Sequence, residues 1–186
     1  PSVSTLLPAA IKGYRPAAFT EPEDTFIPVF GQGTGRMAVP GYMDRIFRVD
    51  LTAGSCTPAD LPGEWKDLFL GGRGLGVGIL SAQMDPRTDA FSPDNLLVMA
   101  AGPLTGSGMP LGSRYSVVSR SPLSGTLASS SSGGFFGPEL KRAGFDAVVI
   151  RGRAPRPSVL CIQEGTAEIR GAGDCWGMTT SGARDR

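Results

Sequence analysis

The sequence predicts an α+β fold built from about seven short strands and three short helices. Three observations support this class. Short apolar segments of strand length recur along the chain, a few segments have helix-like composition, and glycine- or proline-rich turns separate them. Strands and helices in mixed order are typical of α+β proteins. The 186 residues are enough for one domain with a substantial core.

The first predicted strand covers residues 44–51, where Phe47, Val49 and Leu51 fall on one face. A turn at residues 52–55 should lead into a short second strand. Residues 95–101 form a continuous apolar run, which is typical of a strand buried on both sides. The remaining strands are predicted at 114–120, 126–129, 146–151, 158–163 and 167–170.

Helical segments are predicted at 64–70, 77–84 and 138–143. The glycine-rich residues 71–76 should interrupt the first two as a loop, and Asp85-Pro86 should end the second helix. Pro138 near the start and Gly144 after the end fit the usual preferences of helix termini.

Residues 1–36 differ from the rest, because they are rich in proline and glycine and lack hydrophobic periodicity. We predict that they are irregular and lie outside the folded domain, which residues 37–186 form. Met37 is a candidate translation start, since the chain begins with proline.

Composition excludes several function classes. Without histidine, the chain cannot build a Ser-His-Asp or Cys-His catalytic unit or an imidazole-dependent zinc site. A net charge of +1 gives no electrostatic case for nucleic acid or a membrane surface. The three cysteines are far apart, and neither a signal peptide nor a membrane-spanning run is evident. These features predict a protein of a reducing, cytoplasmic compartment.

Glycine is about twice as abundant as average, with 27 residues. The first glycine-rich segment, residues 71–78, looks like a phosphate loop, but no G-x-G-x-x-G or G-x-x-x-x-G-K-[ST] spacing is present. Close packing of a helix against a sheet is the favoured interpretation there.

Two further segments have binding character. Residues 101–115 join two predicted strands and end at Arg114, whose guanidinium could grip a phosphate or form an ordinary surface ion pair. Residues 129–137, Ser-rich and then Gly-Gly-Phe-Phe-Gly, precede a predicted helix. They fit either a flexible linker or an anion site.

Taken together, the segments resemble a known family. The order DRIFRVDL, TAG, GGRGLG, MDP, AAGPLTG, SRYSVVSRSPLSG, SSGGFFGPELKRAGFDAVVIRGRA and CWG closely resembles the N-terminal domain of the aldehyde ferredoxin oxidoreductase family. The resemblance runs from about Met43 to Gly177 and does not include residues 1–36.

The resemblance implies a domain of two β-sheets related by a pseudo-twofold axis, which forms a base for a tungsten (or molybdenum) bis-pyranopterin. Arg114 matches the family's G-G-R-Y arginine between a pterin and the iron–sulfur cluster, although Ser113 replaces one glycine. Ser131 matches the position whose carbonyl helps to hold the Mg²⁺ between the pterin phosphates; the family has asparagine there. Gly133 matches a glycine at the pterin, and Ser132 and Gly134 flank it.

The resemblance also implies the reaction, the oxidation of an aldehyde to a carboxylic acid with electrons passed to ferredoxin through a [4Fe–4S] cluster. The cluster ligands and the catalytic side chains of the family lie in later domains, so no catalytic residue is assigned here. Two alternatives stay open: another substrate within the family, such as a carboxylic acid or an aromatic acyl-CoA, or a non-catalytic module for a phosphate-bearing ligand. The sequence does not decide the oligomeric state.

Overall fold

The computed structural model describes residues 41–163 and 165–185. The predicted irregular segment, residues 1–36, lies outside them, and its exclusion from the domain stays a prediction. The helices are α1 (Gly63–Phe69), α2 (Gly72–Gln83), α3 (Phe136–Arg142) and α4 (Thr180–Arg184), with a 3-10 turn at Gly173–Cys175. The strands are β1 (Arg45–Asp50), β2 (Ser55–Asp60), β3 (Leu97–Ala101), β4 (Tyr115–Arg120), β5 (Leu127–Ser132), β6 (Ala147–Arg151), β7 (Ser158–Gln163) and β8 (Thr166–Gly171).

Six strands form one mixed sheet in the order β2-β1-β6-β3-β4-β5. The pair β1–β6 is parallel and the other neighbours are antiparallel. Strands β7 and β8 form a separate antiparallel hairpin. The predicted α+β class, with two sheets and short helices, is confirmed, while the pseudo-twofold relation stays a prediction.

One face of the large sheet is covered by α1 and α2. Alternate residues of the central strands point toward these helices, as the two-residue period of a strand requires. Trp65 of α1 and Leu75 and Ile79 of α2 meet them in a fully buried cluster. The sheet contributes Ile46, Val98, Ala100, Val118, Ala147 and Val149 to this cluster.

The opposite face is covered by α3 and by the β7–β8 hairpin. Phe47 and Phe145 are both buried there, with ring centroids 4.6 Å apart in an edge-to-face arrangement. Leu140 of α3 joins them, and the hairpin adds Leu160, Ile162, Ala167 and Ile169. The small sheet is therefore packed on the large one through a shared core.

The glycine-rich residues 71–76 do not form the predicted loop. The helix α2 begins at Gly72, so these glycines occupy its first two turns. A Cβ at Gly76 would lie 2.6 Å from Val118 Cγ2, and one at Gly78 would lie 2.6 Å from the Phe69 ring. Glycine thus allows α2 to approach both β4 and α1 closely, as the packing interpretation expected.

The serine run is also different from the prediction. Residues 129–132 continue strand β5 instead of leaving it, and they pair in register with β4 from Tyr115↔Ser132 to Val118↔Ser129. The helix α3 then begins at Phe136, two residues before the predicted start. Every residue of β5 is exposed, because β5 is an edge strand of the sheet. Backbone pairing with β4 outweighs the weak strand preference of serine.

Candidate functional site

A pocket of about 380 Å³ opens where β3 ends and β4 begins. The first turn of α2 and the loop of residues 102–113 form its walls. The lining residues are Leu70, Gly71, Gly72, Gly102, Pro103, Leu104, Thr105, Leu111, Gly112, Arg114, Tyr115 and Ser116.

Glycines form much of the pocket surface, and they are not equivalent. Gly72 has φ +52°, a conformation that L side chains rarely adopt. At Gly102, φ is ordinary, and a Cβ would meet no protein atom closer than 3.7 Å. Neither backbone conformation nor packing therefore requires glycine at position 102. A bare backbone there leaves room for a ligand to approach closely.

Arg114 stands immediately before β4 at the edge of this pocket. Its position is held by Thr105, a buried side chain that donates to the Arg114 carbonyl at 2.7 Å. The Gly102 N–H in turn donates to Thr105 Oγ1 at 3.0 Å. Within the described part of the chain no carboxylate pairs with the exposed Arg114 guanidinium. Among the described residues, Arg114 therefore presents a positive charge without a carboxylate partner, on a backbone held by Thr105.

Ser131 lies on the same side of the sheet as α2. Its hydroxyl is 3.4 Å from that of Ser116, and a Cβ at Gly72 would lie 3.7 Å from the Ser116 hydroxyl. Ser131 therefore adjoins the pocket, although it does not line it. Its neighbour Ser132 pairs with Tyr115 at the end of the strand.

The loop after β5 meets the pocket loop. A Cβ at Gly133 would lie 3.5 Å from Ser113 Oγ. Gly134 has φ +84° and open space around its Cβ position. Gly133 therefore lies beside Ser113, which precedes Arg114 in the chain, although residues 129–134 do not line the pocket. The cofactor roles of Arg114 and of residues 131–134 stay predictions.

Two exposed leucines of the pocket have backbone conformations unusual for their type. Leu70 has φ 57° and Leu111 has φ 65°, and they are 68% and 94% exposed. A β-carbon makes this left-handed region unfavourable, at a cost of roughly 1–2 kcal/mol per residue. Such outliers cluster at functional sites. The sequence analysis missed both residues, because an ordinary leucine gives no signal of a left-handed turn.

No group of three or more His, Cys, Asp and Glu side chains among residues 41–163 and 165–185 is placed to hold a metal ion. In the same residues, no helix combines the length and the apolar character needed to cross a membrane.

The pocket residues belong to a stretch that matches known proteins. Residues 46–186 match the family described as aldehyde ferredoxin oxidoreductase, N-terminal domain. The chain is similar to the tungsten-containing aldehyde ferredoxin oxidoreductase of Pyrococcus abyssi, at 46% identity over 141 residues. It is also similar to the aliphatic sulfonate oxidoreductase WOR-like subunit of Pyrococcus furiosus, at 39% identity over 140 residues.

These matches cover 76% of this chain and 23% of the first relative, and 74% and 22% for the second. The chain thus spans less than a quarter of the length of the curated relatives it matches.

The fold has a solved counterpart as well. The active-site complex BamBC of benzoyl coenzyme A reductase, solved with 1,5-dienoyl-CoA, superposes with a TM-score of 0.76 at 35% identity. The match covers 78% of this chain and 22% of that one. Sequence and fold agree, and the chain belongs to the aldehyde ferredoxin oxidoreductase family, whose N-terminal domain it matches.

Proposed function

We propose that this domain is the cofactor-binding base of a tungsten oxidoreductase that converts aldehydes to carboxylic acids. The observation that carries the proposal is that Arg114, which pairs with no carboxylate among the described residues, and the bare backbone of Gly102 line one pocket, with Gly133 next to it beside Ser113. The related proteins named above include tungsten-containing enzymes, and a pyranopterin is the group through which such enzymes hold the metal.

The pocket fits a flat, phosphate-bearing cofactor. Its floor lacks side chains at Gly71, Gly72 and Gly102, so a planar ring system can lie against the backbone. The N-terminus of α2 borders the same pocket at Gly71 and Gly72, and a helix N-terminus carries a partial positive charge. Arg114 adds a full charge and a planar set of donors suited to phosphate or a ring carbonyl. A phosphate-bearing pterin matches this combination of bare backbone and positive charge.

Each predicted residue has a distinct part in this proposal. Arg114 would bind the pterin and stabilise the reduced iron–sulfur cluster. The backbone carbonyl of Ser131, in an edge strand, would be a ligand for Mg²⁺. Gly133 allows the pterin to approach, with Ser132 and Gly134 beside it.

The bound cofactor supplies the two-electron oxidation of the aldehyde. The residues of this domain bind and orient it, and Arg114 stabilises added negative charge nearby. A [4Fe–4S] cluster would supply one-electron transfer toward ferredoxin. No described residue of this domain is assigned as an acid or base of the reaction.

Replacement of Arg114 tests the assignment. In the complete enzyme, Arg114→Ala removes charge and donors, and tungsten retention should fall about tenfold or more, since hydrogen bonds to charged groups are the strong ones. Arg114→Lys keeps the charge but loses the planar fork, so we expect an intermediate loss.

Two properties of these variants are measured. They are the tungsten content and the cluster potential, the latter by a redox titration monitored by electron paramagnetic resonance. Arg114→Ala should shift the cluster potential to more negative values, because a nearby positive charge favours the reduced cluster. Full tungsten occupancy with an unchanged potential in Arg114→Ala would make Arg114 a structural residue and remove the main support of the proposal.

A second candidate is the reduction of an aromatic acyl-CoA by the same cofactor base. The fold similarity to the benzoyl coenzyme A reductase complex, with a TM-score of 0.76, favours keeping it. Assays of the complete protein with aldehydes and a viologen acceptor, beside assays with benzoyl-CoA and a strong reductant, separate the two. Turnover of benzoyl-CoA without aldehyde oxidation would replace the first candidate with the second.

A further inference from the structure

Residues 41–44, which precede β1, form a strap beside the pocket and contact Leu70 and Pro103 of its lining. The strap is held by two buried side chains. Lys141 Nζ donates to the Gly41 carbonyl at 2.6 Å, and the Asp146 carboxylate accepts from the Met43 and Asp44 N–H groups at 3.0 Å and 2.9 Å. Each of these contacts joins positions about a hundred residues apart in sequence.

Lys141 and Asp146 form an ion pair at 2.5 Å, and their side chains are only 5% and 2% exposed. Burial of two charges is costly unless their remaining donors and acceptors are satisfied. Here the strap satisfies them, because its backbone supplies one acceptor to Lys141 and two donors to Asp146. The pair therefore specifies the position of the strap.

The strap touches both walls of the pocket. On one wall, the Tyr42 hydroxyl donates to the Leu70 carbonyl at 2.6 Å. On the other, a Cβ at Gly41 would lie 2.6 Å from the Pro103 carbonyl oxygen, so the two backbones are in close contact. Leu70 and Pro103 both line the pocket.

The strap also meets residues with unfavourable backbone conformations. Asp44 has φ 60° and Leu70 has φ 57°. Lys66 links them, since its side chain pairs with the Asp44 carboxylate and its carbonyl accepts from the Leu70 N–H. Unfavourable conformations persist only where surrounding contacts over-determine them. The Tyr42 hydrogen bond on Leu70 is such a contact.

We propose that the strap fixes the Leu70–Gly71 turn at the pocket, with Tyr42, Lys141 and Asp146 as positioning residues for whatever the pocket binds. This turn packs directly on the other wall, since a Cβ at Gly71 would lie 3.0 Å from Gly102 Cα. Tyr42 holds the Leu70–Gly71 wall, and Gly41 supports the Pro103 wall. The buried Lys141–Asp146 pair holds the strap backbone, and therefore both of these contacts, in place. These contacts all lie within the domain, so their effect does not depend on which cofactor is bound.

The test uses Tyr42→Phe in the complete protein, because this variant removes one hydroxyl and keeps the ring between Lys66 and Lys141, whose ammonium groups lie 5.6 Å and 5.7 Å from it. Ser158→Ala is the matched control. It removes a side-chain hydrogen bond to a carbonyl, that of Arg156 at 2.8 Å, on the β7–β8 hairpin.

Hydrogen exchange read by mass spectrometry is the measurement. Exchange in peptides containing Leu70, Gly71 and Gly72 should be about five- to tenfold faster in Tyr42→Phe, the effect of one lost hydrogen bond on a local opening. The same peptides should be unchanged in Ser158→Ala. Exchange in Tyr42→Phe that matches the wild type within twofold would overturn the proposal.

A second region separates positioning from general loosening. In Tyr42→Phe, exchange in peptides of the β7–β8 hairpin should match the wild type within twofold, because the contacts of Tyr42 are with Leu70, Lys66 and Lys141. An increase there as large as at Leu70 would mean that the variant loosens the whole domain and that Tyr42 does not position Leu70. Neither result depends on bound tungsten. A failure of this proposal can therefore be distinguished from a failure of the proposed function.

Discussion

The two glycine-rich regions of this molecule use the same residue for different reasons. In α2, Gly76 and Gly78 lie where a methyl group would overlap Val118 or Phe69 at 2.6 Å. At the pocket, Gly102 and Gly133 lie where a methyl group would have ordinary space, at 3.7 Å and 3.5 Å from the nearest atoms. Packing requires the first pair, whereas no contact among the described residues requires glycine at the second. Glycine abundance alone therefore does not locate a binding site.

The largest effect should come from overpacking α2. We expect Gly76→Val to destabilise the fold by about 2 kcal/mol or more, because the new side chain collides with the stiff, buried Val118. Urea unfolding measures the change. Val118→Ala in the same chain should recover part of the loss by making room, and no recovery would show that the collision lies elsewhere.

The pocket glycine should behave in the opposite way. Gly102→Ala should leave the free energy of unfolding unchanged or raise it by about 0.4–1 kcal/mol, because alanine restricts the unfolded chain. Tungsten retention should fall about tenfold, since the methyl group occupies the space of the ligand. Metal content and thermal unfolding of one preparation check both statements.

Gly171→Ala is the control for that variant, because its Cβ would lie 4.0 Å from the nearest atom, at the end of β8. It should show the same small stabilisation and full tungsten content. Equal tungsten retention in Gly102→Ala and Gly171→Ala would contradict the idea that Gly102 makes room for a ligand.

A smaller effect should follow from replacing Leu111 in the pocket with a residue that tolerates a positive φ. Leu111 has φ 65° and is 94% exposed, so little packing is lost on replacement. Leu111→Asn should stabilise the fold by about 1 kcal/mol, since asparagine tolerates the left-handed region. The change is measured as a shift in the midpoint of urea unfolding while the m-value, the slope of the transition, stays constant. An unchanged midpoint would mean that the conformation costs nothing here.

The smallest effect concerns a carboxylate remote from both glycine regions. Burial would raise the pKa of Asp50, but hydrogen bonds from the Ala53 N–H and from Arg151 outweigh it and lower the pKa. A lowered pKa contributes stability above the unfolded value of about 3.9, and this stability is lost as pH falls through the folded value.

Asp50→Asn should therefore cost at most about 1 kcal/mol at pH 7, because solvent screens the pair with Arg151. The difference between wild type and variant should vanish in acid. Unfolding curves at pH 7 and below pH 3 check this, and a difference that persists in acid would assign the effect to packing.

The first strand was predictable because apolar and polar residues alternate in its sequence, whereas the exposed serine run of β5 gave no such signal. Phe47 and Val49 fall on one face in the structure, as their spacing predicts, and Gly144 ends α3 with φ +90°. The helix α2 was only half predicted. Glycine disfavours helix by about 1 kcal/mol per residue, and only the contacts with Val118 and Phe69 explain why the helix extends to Gly72.

The site was predictable in part, because some of its residues belong to local sequence motifs. Arg114 and Ser131 belong to contiguous motifs that can be recognised in the sequence. The strap was not, since Lys141 and Asp146 act on residues about a hundred positions away. A local pattern carries no information on such partners, and Lys141 looks like any lysine at the end of an amphipathic helix.

The parallel pairing of β1 with β6 has a consequence for how the chain is made. Strand β6 lies between β1 and β3, and its contact with β1 includes an ion pair that spans 101 residues. Contacts so distant in sequence close large loops and form slowly. Until β6 leaves the ribosome, the edges of β1 and β3 that will face it keep their backbone N–H and C=O groups unpaired, and their apolar side chains stay incompletely buried. The N-terminal half of the domain should thus depend on chaperones until Ala147–Arg151 emerges, and nascent chains stalled before that point should be far more sensitive to protease than chains stalled after it.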